Sequence, residues 1–109
     1  MDNQEINRLI AEKVMGYELV YNEKFELNGW KMGEKSWAGS FIPSASIEDA
    51  WKVVEKLRED QIKMDIVCQP ENYVVYVSSA NNESLEIKSK TAPEAICLAA
   101  LKAVGYEME

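Results

Sequence analysis

Three aromatic rings and two cations crowd the stretch "GWKMGEKSWAGSF": Trp30, Lys31, Lys35, Trp37 and Phe41, interleaved with Gly29, Gly33 and Gly39. An indole or phenyl ring can stack on a planar ligand while a neighbouring ammonium group approaches its phosphate, and the same rings anchor protein interfaces. Three readings stay open for them: a lid closing on the core, an interface with another copy or a partner, and a platform for a small ligand. Trp51 is different, because it falls on the apolar stripe of a helix and is expected in the core. Met15, Met32 and Met64 read as packing residues.

Covalent and acid-base chemistry has little to work with. The chain has no histidine, which removes the commonest general base, the commonest zinc ligand and every Ser-His or Cys-His nucleophile arrangement. Cys68 and Cys97 stand alone within apolar patterns and are expected as buried small hydrophobes in a reducing compartment. No Walker loop, GxGxxG or GxSxG motif occurs. The densest carboxylate pairs, Glu48-Asp49 and Glu59-Asp60, fall at helix ends, where capping and solvation account for them. A protein without catalytic groups, metal or cofactor is expected.

The bulk composition narrows the partners. The chain has 109 residues, 47% of them hydrophobic and 28% charged, which suits one folded domain with an ordinary core. Nineteen acidic residues against 12 basic ones give a net charge of −7, and the basic residues are scattered. Phosphate neutralisation needs a basic stripe, so duplex nucleic acid and an anionic membrane surface are both disfavoured. The start "MDNQEINRLI" has neither the basic head nor the apolar run of a signal peptide, and no membrane span is legible. A cytoplasmic location is expected.

The elements that must position these residues are readable from periodicity and caps. Ile6, Leu9, Ile10, Lys13 and Val14 recur at helical spacing over residues 3–15, with Asp2 or Asn3 as N-cap and Gly16 as the left-handed stop. "YELVY" then begins an extended segment. Asn28-Gly29 is a hairpin-type turn signal, and the register through residue 45 is open. Ser46 with Asp49 makes a short-armed capping box before a helix to about residue 60, its apolar face read as Ile47, Ala50, Trp51, Val54 and Leu57. Strands follow at 62–69, 73–79 and 85–90, the middle one expected to be central and covered on both sides. Thr91 with Glu94 forms a second capping box, Pro93 fits the first turn, and an alanine-rich helix runs to about Val104.

Three of these stretches together resemble one family. "AEKVMGYE" at 11–18, "PSASIEDAWKVVEKLRE" at 43–59 and "TAPEAICLAALKAVG" at 91–105 are similar to the phage ABA sandwich domain. The resemblance implies an α/β/α layered fold and a phage or prophage accessory origin, without an activity to carry onto individual residues. Trp30 and Trp37 echo the Trp-rich loop that such proteins carry before the second helix. The residues agree on an α+β architecture: an antiparallel meander of three strands, plus an N-terminal strand or hairpin, covered by three helices. Helix, three strands and helix is also the order of a double-stranded RNA-binding domain, but the last helix opens with Thr91, Ala92, Pro93 and Glu94 where lysines would be needed. The function expected is a non-catalytic binding protein, a homo-oligomer that sequesters a nucleotide-type signal in anti-defence. The alternatives are an inhibitor or adaptor acting on a host protein, and a virion-associated structural protein.

Overall fold

A computed structural model describes residues 2–33, 36–78 and 84–106. The N-terminal helix α1 spans Asn3–Leu9 and continues as π-helical turns through Ile10–Met15. Asp2 caps it by accepting a hydrogen bond from the Glu5 N–H at 2.8 Å. Gly16 ends it at φ 72, and the Tyr17 N–H closes back on the Ala11 carbonyl at 2.8 Å. A side chain in that left-handed well would crowd its own carbonyl, hence the glycine. The π-helical winding, which periodicity does not reveal, brings Ala11 onto the buried face beside Ile10 and Val14.

Strands β1 (Glu18–Asn22), β2 (Leu27–Lys31) and β3 (Trp37–Ala38) form one antiparallel sheet in that order. The turn of the first hairpin lies at residues 23–26, and Asn28-Gly29 falls inside β2, correcting the expected turn. Asn22 decides this: its Oδ1 accepts from the Lys24 N–H at 2.9 Å and the Phe25 N–H at 3.3 Å, and Glu26 takes a left-handed φ of 54. An Asx-type turn of this kind satisfies the loop backbone locally and outcompetes the Asn-Gly signal.

Helix α2 (Ile47–Glu59) is followed by β4 (Met64–Cys68), β5 (Tyr73–Ser78) and β6 (Ser84–Ser89), a second antiparallel sheet in the order β4-β5-β6. Helix α3 (Ala92–Ala103) closes the chain. Both expected capping boxes form by half. Ser46 Oγ accepts from the Asp49 N–H and Thr91 Oγ1 from the Glu94 N–H, but the acidic partners turn elsewhere. Asp49 accepts from the Ile42 N–H at 2.9 Å, and Glu94 accepts from the Ser89 hydroxyl at 3.0 Å, so each carboxylate ties its helix to the preceding segment.

Among the described residues, three helices and two antiparallel three-stranded sheets make an α+β fold consistent with an ABA sandwich. Helix α3 is its hub, touching β5 and β6 on one side and α1, its π-helical extension and α2 on the others. Ala95, Ala99, Ala100 and Ala103 are all buried, and their small side chains allow that close approach. Ile96 and Leu101, fully buried among them, each contribute about 1.5–3 kcal/mol by leaving water.

Strand β5 is central, but only one of its faces is covered along its length. Val75 and Val77 point into the core, whereas on the other face Val74 is buried and Tyr76 is 40% exposed. Cys68, at the end of β4, is exposed, correcting its expected burial, while Cys97 on α3 is fully buried as expected. The difference is position: Cys97 lies on the face of α3 that is buried among its neighbours, whereas β4 ends in two exposed residues, Val67 and Cys68. The "ANNES" turn lies, apart from Ser84, outside the described residues.

Candidate functional site

The aromatic segment does not gather into one platform. Trp30 pairs with Ala38 across β2 and β3, and Lys31 pairs with Trp37, so the two indoles emerge on opposite faces of the ribbon. Trp30 is partly buried and packs against the main core together with Met32. Phe41 is only 3% exposed and meets Tyr17 edge-on, with ring centroids 5.2 Å apart, which is the lid-on-core reading. Lys31 is exposed. Lys35 lies outside the described residues.

Trp37 builds a small cluster of its own on the hairpin. Its indole stacks on Phe25 at 5.6 Å with an interplanar angle of 6°, and the Lys24 ammonium lies 5.6 Å above the other ring. The indole also lies across Gly29, where a Cβ would run into the ring and into the Ala38 carbonyl. Gly29 is therefore required by space, and its place in β2 gives the ring a floor.

A concave feature of the surface lies elsewhere, along α2. An open groove of about 770 Å³ is floored by Met15, Tyr17, Ile47 and Trp51 and rimmed by Glu48, Lys52, Glu55, Lys56 and Glu59. Trp51 is 51% exposed there and Ile47 55%, correcting the expectation that both belong to the core. The physical reason is angular. The buried residues of α2 are Ala50, Val53 and Leu57, and one residue step of about 100° carries Trp51 from Ala50 around to the flank of the helix. The sequence signal was present, since a stripe centred on Ala50, Val53 and Leu57 leaves Trp51 at its edge.

Local electrostatics of the groove are mixed. Lys52 is paired with Asp49 at 3.3 Å, and Lys56 has no ion-pair partner among the described residues. Burial pushes the Tyr17 phenol above its ordinary value, Lys52 opposing and Asp49 reinforcing that shift. Tyr17 therefore stays a neutral hydrogen-bonding group at the groove's inner wall. Among the described residues no group of three or more His, Cys, Asp or Glu side chains converges on a point that could hold a metal ion. No helix of the described residues is long and apolar enough to cross a membrane.

An α+β domain with helices enclosing α3, an antiparallel meander and an apolar groove beside the second helix is the class this structure defines. The sequence model of the phage ABA sandwich domain matches residues 8–101, and the chain belongs to that family. No curated protein and no solved structure matches it. Membership marks it as a phage-associated accessory protein.

Proposed function

We propose that the protein is a non-catalytic phage accessory protein that works by occupancy, holding a small ring-bearing ligand in the groove beside α2. The observation carrying this reading is the half-exposed indole of Trp51 in a floor shared with Met15, Tyr17 and Ile47, with Lys56 at the rim. A groove of this size with an apolar floor suits a small molecule, and an indole face accepts a purine or pyrimidine ring. Glu48, Glu55 and Glu59 on the same rim oppose a densely charged ligand, which favours a nucleoside monophosphate or cyclic nucleotide over a triphosphate. Sequestering such a signal is an anti-defence activity.

Isothermal titration against a panel of linear and cyclic nucleotides tests this. The expected result is micromolar binding of one class, lost on Trp51→Ala and weakened on Lys56→Ala, with the thermal transition of both variants close to that of the unmodified chain. A silent panel removes the ligand reading. Capture of one host protein, sensitive to the same Trp51→Ala change, then favours an inhibitor or adaptor that uses the same groove.

A further inference from the structure

Strand β1 is an outer strand of its sheet: its neighbour on one side is β2, and no backbone group of residues 18–22 bonds to anything on the other side among the described residues. Backbone N–H and C=O groups along such an edge are a template for another strand. Proteins usually guard such edges with lysine, proline or a bulge. Here "ELVYN" carries one charge, Glu18 at its start, and no proline. Leu19 and Tyr21, on one face of the strand, are 55% and 59% exposed.

We infer that β1 pairs with β1 of a second copy in a two-fold antiparallel arrangement, joining the two sheets into one of six strands. The strand is self-complementary in the register centred on Val20, the one register that pairs all five residues. Leu19 then faces Tyr21 of the second copy, twice, as cross-strand aliphatic-aromatic contacts. Glu18 faces Asn22 of the second copy; the Asn22 Oδ1 is held by its own turn, leaving its amide Nδ2 to donate to the carboxylate. The two Glu18 carboxylates stay four residues apart along the strand, so no like charges oppose. Shifting the register by two residues toward the turn sets Leu19 against Glu23 and loses this match. A five-residue edge buries less than the roughly 800 Å² per partner of a standard interface, so the dimer is concentration-dependent. This surface is separate from the groove beside Trp51, and its test does not depend on ligand binding there.

Sedimentation equilibrium of the full chain across a concentration series is the first measurement, with a reversible dimer expected. The double variant Leu19→Lys, Tyr21→Lys adds two charges to each edge at exposed positions. It should raise the dimer dissociation constant by about thirtyfold or more while leaving circular dichroism unchanged, and the melting transition unchanged at concentrations where both chains are monomeric. Register is read by oxidation in a Cys68→Ser background. Val20→Cys meets its own mate within disulfide reach and cross-links, whereas Glu18→Cys lies about 13 Å from its mate and does not. A chain that is monomeric at every concentration overturns the inference. So does a dimer that ignores the lysines and fails to cross-link through residue 20.

Discussion

Gly29→Ala is the sharpest probe of how the hairpin is built, because one methyl group meets two neighbours with different freedom to move. The Trp37 indole can swing away, giving up its stack on Phe25, an interaction of about 0.5–1.5 kcal/mol beyond the area buried. The Ala38 carbonyl cannot leave without unpairing β3 from β2, and forcing a methyl into so tight a site costs about 1–3 kcal/mol. Against both stands a gain of about 0.5–1 kcal/mol for replacing glycine by alanine within a strand. The net expectation is a loss of about 1–2 kcal/mol, confined to the three-stranded hairpin sheet, whose strands contact chiefly one another. Native-state hydrogen exchange should show protection of β1 and β2 amides falling by about five- to thirtyfold, with the near-ultraviolet signal of the stacked indole reduced. Helix α3 amides should keep their protection. Unchanged exchange in β1 and β2, with an unchanged indole signal, would falsify the account of Gly29 as the floor of the Trp37 ring.

Two further outcomes follow from particular geometries. Gln61, just past α2, holds a left-handed φ of 65, so Gln61→Gly should stabilise the protein by about 1 kcal/mol in urea unfolding; a destabilised variant contradicts the strain argument. Burial, reinforced by Glu94, pushes the Cys97 thiol up to about 12, so at pH 8 a thiol reagent should modify Cys68 alone in the native protein and both cysteines in urea. The sign of the accompanying stability change is fixed. The unfolded thiol ionises near its ordinary value of 9.0 while the folded one keeps its proton to about 12, so this contribution is complete below pH 9 and is lost as pH rises through that window. Relative to Cys97→Ala, the unmodified chain should lose about 1 kcal/mol per pH unit between those limits; parallel profiles for the two chains contradict it.

The helix ends were legible because the interactions that define them are local. Ser46 and Thr91 each reach an N–H three residues on, and Gly16 and the first-turn Pro93 need no distant partner to act. The meander was legible for the same reason: β-branched and alternating runs favour extended chain wherever they are placed. The Asn22 turn was also local, but two turn signals competed within eight residues, and only the assembled hairpin shows which prevails.

What lay beyond the sequence was which apolar side chains would be covered. Phe41 and Trp51 are both large rings in apolar company. Phe41 is sealed, with Tyr17 edge-on against it, whereas Trp51 stays half open because Met15 and Tyr17 line its groove without covering the indole. The two cysteines divide in the same way, Cys97 enclosed by α3's neighbours and Cys68 at an uncovered strand end. Periodicity and caps act over about four residues and decide where helices and strands form. Coverage depends on segments tens of residues apart meeting in space, and so the depth of the groove and the sealing of Phe41 were decided by tertiary packing, while the open flank carrying Trp51 was already marked by the stripe of α2.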